Sequence, residues 1–318
     1  MKLWLSLIQL LIVLGICWWL ATHLPWTEAW RLCCNASPLV LILVFVQRFT
    51  PYAGLGYRLT QLFSGNVSFA LGLQSSLLCV GCNSVIPARL GEIVKIVWLA
   101  QHGSINYPTI CGMVGLERLL DVTTLFLLGL IFAADLLQPV LTVVLALSVV
   151  IAWGLAILLS RRPGLKERVP LPQCLRPFVM ELLSALAHAL HGNILWRTIT
   201  GTLCIWSLNF LHVVLLANGL MELGLSLQGL GLLMVAMFFA SGLMLSPGGL
   251  GTLEAAVVLT LGQLGVEMTQ ATALAIFARF FYSLPPLIGA ALVLMYQGSS
   301  TLSIRRLLLH KEGLKECN

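Results

Sequence analysis

Eight ionisable side chains stand inside stretches that are otherwise apolar: Arg89, Glu92, Lys95, Glu117, Arg118, Asp121, Glu254 and Arg279. On insertion scales an ionised residue at a span's centre costs about 2.5–3.5 kcal/mol, so such residues face a bundle interior or water and find partners. The cations Arg89, Lys95, Arg118 and Arg279 can attract an acidic group, Arg through a bidentate fork and Lys as a point charge. The carboxylates Glu92, Glu117, Asp121 and Glu254 can balance that charge or exchange a proton, with Glu92 and Glu254 the candidates for the second role. Glu117 and Asp121, four apart, project from one helical face, with Arg118 about 100° away. A purely structural ion-pair knot is the competing reading of ERLLD.

Two of these groups sit beside interruptions. In NSVIPARLGE and SPGGLGTLE a helical pattern meets proline and glycine, stops, and is followed by a second apolar segment of roughly ten residues. Pro87 and Gly91 align with Pro247 and Gly251, a carboxylate follows each, Glu92 and Glu254, and the second break adds Gly248 and Gly249. Arg118 follows Glu92 by 26 residues and Arg279 follows Glu254 by 25. The match suggests a two-fold repeat. Irregular backbone at membrane depth is tolerated only where protein or cavity water satisfies it, so both breaks are expected to line a pocket. A helix start there offers unpaired N–H groups and a positive dipole end to an anion. Glu254 either complements the first turn of its helix or pairs with a cation such as Arg279.

The rest of the chain must hold these groups in a membrane. Its 318 residues are 59% hydrophobic and only 9% charged, and the mean hydropathy is +0.97. That lies well above the roughly 45–50% apolar content of soluble domains. The polar stretches Ser160 to Pro177 and Ser299 to Asn318 are too short to bury a core. The expected fold is an all-α integral membrane protein with about six full spans and two re-entrant or broken-helix hairpins in an inverted repeat. The spans are Leu3 to Leu20, Leu32 to Gln47, Pro108 to Ala134, Pro139 to Ser160, Leu195 to Leu216 and Thr269 to Gln297. The hairpins are Ser68 to Gln101 and Gly229 to Leu264, and either arm of each could instead cross completely. The membrane domain is expected over residues 1–298, with halves at about 30–160 and 190–298 and a basic tail at 299–318.

Charge placement orients the chain. Arg161, Arg162, Lys166, Arg168 and Arg176 crowd one loop and Arg305, Arg306, Lys311 and Lys315 crowd the tail, so both belong in the cytoplasm, where they could also touch anionic lipid. Lys2, Arg48 and Arg58 are assigned to the same side. The nine cysteines are scattered through apolar runs, without a disulfide framework. Cys79-x-x-Cys82 has apolar flanks and no second pair, and His188 and His191 have no third ligand, so no metal or other cofactor is expected. The uncharged run from Leu3 reads as a retained span.

IPARLGEIVK, GLERLLD, SPGGLGTLEAA and ARFFYSLP, in that order and spacing, resemble the membrane domain of the lysylphosphatidylglycerol synthase family, a flippase-like domain, over roughly Leu5 to Gln297. The resemblance implies movement of a lipid between leaflets: an anionic phospholipid, an aminoacyl-phospholipid or a polyprenyl-phosphate-linked lipid. Arg89, Lys95, Arg118 and Arg279 would then bind the lipid phosphate. The two-part enzymes carry a soluble transferase domain after the membrane part, whereas this chain stops after a short basic tail, so a stand-alone member without lysyl transfer is expected. The family favours a bacterial inner membrane. The expected partner is a membrane lipid and not nucleic acid, while a homo-oligomer and a lipid-modifying enzyme partner stay open. The alternatives are an integral-membrane lipid-phosphate enzyme, for which no nucleophile–base pairing is evident, and a membrane scaffold for a glycosyltransferase or synthase.

Overall fold

The structure, a computed structural model, describes residues 18, 20–86, 89–133, 139–161, 176–243 and 247–297. Pro87, nearly all of the expected first span, residues 162–175 of the basic loop and the tail 299–318 lie outside the described residues. Regular structure among the described residues is helical throughout. The helices are α1 (Trp26–Cys34), α2 (Pro38–Gln47), α3 (Thr50–Leu62), α4 (Phe69–Val85), α5 (Leu90–Gly103), α6 (Tyr107–Phe132), α7 (Pro139–Arg161), α8 (Arg176–Ala189), α9 (Gly192–Val214), α10 (Leu227–Leu243), α11 (Thr252–Gln263) and α12 (Met268–Gln297).

Among the described residues three stretches are long and apolar enough to cross a membrane: Pro38–Leu62, Gly192–Leu220 and Met268–Tyr296. The first departs from the expected Leu32 to Gln47. Helix α1 ends at Cys34, Ser37 is extended, and Pro38 opens a new helix at a position where its missing N–H costs nothing. At the other end Arg48 keeps helical angles (φ −61°, ψ −20°), so its charge does not end the span, which continues through α3. Helix α9 likewise runs past Leu216, through a six-residue π-helical segment, Leu215–Leu220. Helix α6 has 26 residues but carries Glu117, Arg118 and Asp121.

Both expected interruptions are present. Helix α4 gives way to extended Ile86, and α5 restarts after Arg89, which is left-handed at φ 54°. Helix α10 is followed by a short 3₁₀ turn, Pro247–Gly249, and then by α11. With 14 and 12 residues, α5 and α11 are each too short to cross a layer of about 30 Å at 1.5 Å per residue.

Two apolar cores flank these breaks. One joins α3, α5, α6 and α8 through Leu59, Leu62, Leu99, Ile110, Leu116 and Ala189. The other joins α2, α9, α10, α11 and α12 through Val44, Val213, Leu233, Met237, Val257 and Phe281. Between them Tyr52, Leu77, Leu78, Trp98, Ala290 and Val293 pack α3, α4 and α5 against α12.

Candidate functional site

Four helices contribute to the first polar cluster. Arg58 from α3 is fully buried, and its guanidinium forks onto two carboxylates of α6. Nε and Nη2 donate to Glu117 Oε1 at 3.2 and 3.1 Å, and Nη1 and Nη2 donate to Asp121 Oδ1 and Oδ2 at 2.6 and 3.1 Å. Nη1 also donates to Thr202 Oγ1 of α9 at 3.2 Å. Lys95 of α5 donates to Glu117 Oε2 at 2.5 Å. The one-face placement of Glu117 and Asp121 is what lets a single fork hold both. Breaking such a buried set by removing one member strands the others' charge, so this layer acts as a lock among α3, α5, α6 and α9.

Arg118 belongs to the same network but is held differently. Its side chain is 38% exposed, and Nη1 lies 3.6 Å from Glu92 Oε1 and 3.5 Å from Asp121 Oδ2. Its Nε and the second oxygen of Glu92 are buried without hydrogen-bond partners among the described residues. A guanidinium with spare donors beside a carboxylate with a spare acceptor is a pair that another ligand can enter.

The second cluster is closed. Arg279 of α12 donates through Nε to Glu254 Oε1 at 2.5 Å and through Nη2 to Glu254 Oε2 at 2.8 Å. Nη1 and Nη2 each bind a carbonyl of the interruption, Gly248 and Gly249, at 2.7 Å. Glu254 Oε2 also accepts from the Gly251 N–H at 2.8 Å. Both readings of Glu254 therefore hold at once, since it caps its own helix and pairs with Arg279. The start of α5 is capped in the same sense, with Gly91 N–H donating to Asn83 Oδ1 at 2.8 Å. Each helix start thus spends one of its free N–H groups inside the protein.

The two interruptions touch. Arg89 Nη2 donates to the Gly242 carbonyl of α10 at 3.1 Å. Gly248, at φ 59°, lies so close to α4 that a Cβ there would stand 2.5 Å from the Ser84 carbonyl oxygen. Gly91 is tighter still, with a Cβ position 2.1 Å from the Cys79 carbonyl. Glycine is required at both points because no side chain fits.

Of the eight charges singled out in the sequence, Glu92, Lys95, Glu117, Arg118 and Asp121 form one network, Glu254 and Arg279 a second, and Arg89 bridges the two breaks. The sequence reading missed Arg58, the centre of the first cluster. It treated Arg48 and Arg58 as loop charges that mark topology, whereas both are buried in helical surroundings. The signal was present in hydropathy, since Pro38–Leu62 is apolar enough to cross as one piece with both arginines inside it.

The family model described as the lysylphosphatidylglycerol synthase TM region matches residues 6–290. No curated protein matches alongside it. That match covers the helices on both sides of each break, and the chain is a membrane protein belonging to the lysylphosphatidylglycerol synthase TM region family.

Proposed function

We propose that this protein is a lipid flippase, moving a phosphate-bearing acidic lipid between leaflets while the acyl chains stay in the bilayer. The observation that carries the reading is Arg118: partly exposed, loosely paired with Glu92, and carrying an unpaired Nε in a network that starts one turn beyond Arg89. Arg89 has further donors beyond the one bound to Gly242. These two cations suit a phosphate through bidentate hydrogen bonds. Lys95 and Arg279 would act indirectly, since Lys95 is buried against Glu117 and Arg279 is spent on Glu254 and the Gly248–Gly249 turn. Glu92 is the carboxylate that would lose its partner when a phosphate takes Arg118.

The substrate class comprises an anionic phospholipid, an aminoacyl-phospholipid or a polyprenyl-phosphate-linked lipid. An inverted repeat with halves at about 30–160 and 190–298, a bacterial inner membrane and a cytoplasmic C-terminus belong to the same proposal. The test is reconstitution in liposomes with fluorescent phospholipids whose outer-leaflet fraction is read by chemical quenching. Wild type should speed leaflet exchange and Arg118→Ala should abolish most of that gain. Equal exchange by both proteins would overturn the reading.

A further inference from the structure

Besides Arg58 and Lys95, a third buried cation lies outside this network and has no counter-charge among the described residues. Arg48, 4% exposed, stands between α2 and α3, near the middle of the Pro38–Leu62 span. Its only hydrogen bond among the described residues runs from Nη1 to Asn209 Oδ1 of α9 at 2.8 Å. The rings of Tyr52 and Tyr282 flank the guanidinium, their centroids 5.4 and 4.9 Å from Cζ. Asn209 and Tyr282 also lie near the middles of their spans. No carboxylate comes within ion-pair distance of Arg48 among the described residues, in contrast to Arg58, Lys95, Arg118 and Arg279.

The acceptors around Arg48 among the described residues are neutral ones, Asn209 Oδ1 and the Tyr52 hydroxyl. Arg48 Nε is buried with no hydrogen-bond partner among the described residues, and the Tyr52 hydroxyl, itself 3% exposed, is buried beside the same guanidinium at more than hydrogen-bond distance. The neighbouring polar groups are committed elsewhere. Gln47 Nε2 donates to the Leu208 carbonyl at 2.9 Å, Gln47 Oε1 faces His212 Nδ1 at 2.8 Å, and Asn209 Nδ2 donates to the Ile205 carbonyl at 2.9 Å. A desolvated cation costs several kcal/mol, which two tyrosine faces and one amide oxygen offset without neutralising its charge. The guanidinium thus has only neutral partners among the described residues, and its Nε edge makes no hydrogen bond there.

We propose that Arg48, together with the Tyr52 hydroxyl, is a mid-membrane binding site for a phosphate oxyanion. The free edge of the guanidinium, Nε and Nη2, is the fork that accepts such a group in two parallel bonds, and Tyr52 supplies a third donor. Access comes from α12, where Pro285 and Pro286 follow Tyr282. Each proline removes the helical N–H that would bond the carbonyl four residues back, on Phe281 and Tyr282, so the helix can bend beside the flanking ring. The phosphate can come from a lipid headgroup or from free anion.

Thermal unfolding of the full chain tests this, in maltoside micelles and phosphate-free buffer, titrated with inorganic phosphate or with short-chain phosphatidylglycerol. Every protein carries Arg89→Gln and Arg118→Gln, which together silence the headgroup site proposed above, so the titration reads Arg48 whatever becomes of the transport proposal. A saturable rise in Tm is expected, with Arg48→Gln and Tyr52→Phe each weakening the apparent affinity about tenfold or more. A response to inorganic phosphate identifies the phosphate group as sufficient, and a response to the lipid alone identifies a headgroup. Tyr52→Phe removes only an unpartnered hydroxyl and carries the test should Arg48→Gln fail to fold. The proposal is overturned if neither titrant stabilises the protein, or if Tyr52→Phe binds as tightly as its parent.

Discussion

Arg279 and Glu254, 25 residues apart in sequence, meet through two hydrogen bonds of 2.5 and 2.8 Å, and the same guanidinium holds the carbonyls of Gly248 and Gly249. One side chain thus fixes the interruption, the helix that follows it and α12 to one another. The equivalent residues of the first break, Arg118 and Glu92, are paired at 3.6 Å without that closure. A tight pair on one side and a slack pair on the other separate support from work.

Arg279→Ala should therefore destabilise the fold more than any other substitution in the second break. It strands Glu254 and frees two carbonyls, which costs roughly 3–5 kcal/mol for a buried pair, less some relief from partial exposure. Unfolding in detergent should show a large fall in Tm, and adding Glu254→Gln should restore part of it, because the amide oxygen still caps Gly251 while the stranded charge is gone.

Arg118→Ala should behave in the opposite way. Ion pairs at 3.5–3.6 Å with a 38% exposed partner contribute about 0–1 kcal/mol. Tm should barely move, while lipid exchange in liposomes should fall at least about tenfold, the scale of one lost charged hydrogen bond. A parallel loss of stability and exchange would place Arg118 in the lock instead.

Arg58→Leu should leave Glu117 and Asp121 facing each other without their shared donor, although Lys95 still reaches Glu117. The expected cost is about 3–5 kcal/mol. Arg58→Lys should rescue little, since a point charge cannot reproduce a fork onto two carboxylates. Yield of folded protein by size-exclusion chromatography and Tm together read this out.

Gly248→Ala meets two obstacles, a left-handed backbone at φ 59° and the Ser84 carbonyl 2.5 Å from the new methyl. Strain of about 1–3 kcal/mol from the backbone alone is expected, with the clash added. Gly115→Ala, inside α6 with nothing within 4 Å of the Cβ position, is the control that should keep or slightly raise Tm in the same assay.

Charge in apolar surroundings was the most legible feature of the sequence, because each such residue must find a partner. Proline and glycine marked both breaks, and the Glu254–Arg279 pair was anticipated, while the pairing of Glu92 with Arg118, which have a similar spacing, was not. What sequence could not express was distance across the fold. Arg58 joins Glu117 over 59 residues and Thr202 over 144, and no local pattern encodes a contact between separate spans. Arg48 was misread for a related reason: a charge after ten apolar residues resembles the end of a span, and only the continuing helix reveals otherwise. The helix starts were expected to offer bare N–H groups, but Asn83 and Glu254 reach back to cap them, a detail set by side-chain direction rather than by spacing.

Between Gly91 and the Cys79 carbonyl there is no space even for a methyl, so α4 and α5 are wedged into a single stiff lever. Lys95 ties the far arm of that lever to Glu117, and Arg89 rests at its elbow against Gly242. Any swing that lifts Arg89 off Gly242 would tug on Glu117 as well, coupling the contact between the breaks mechanically to the fully buried Arg58–Glu117 pair.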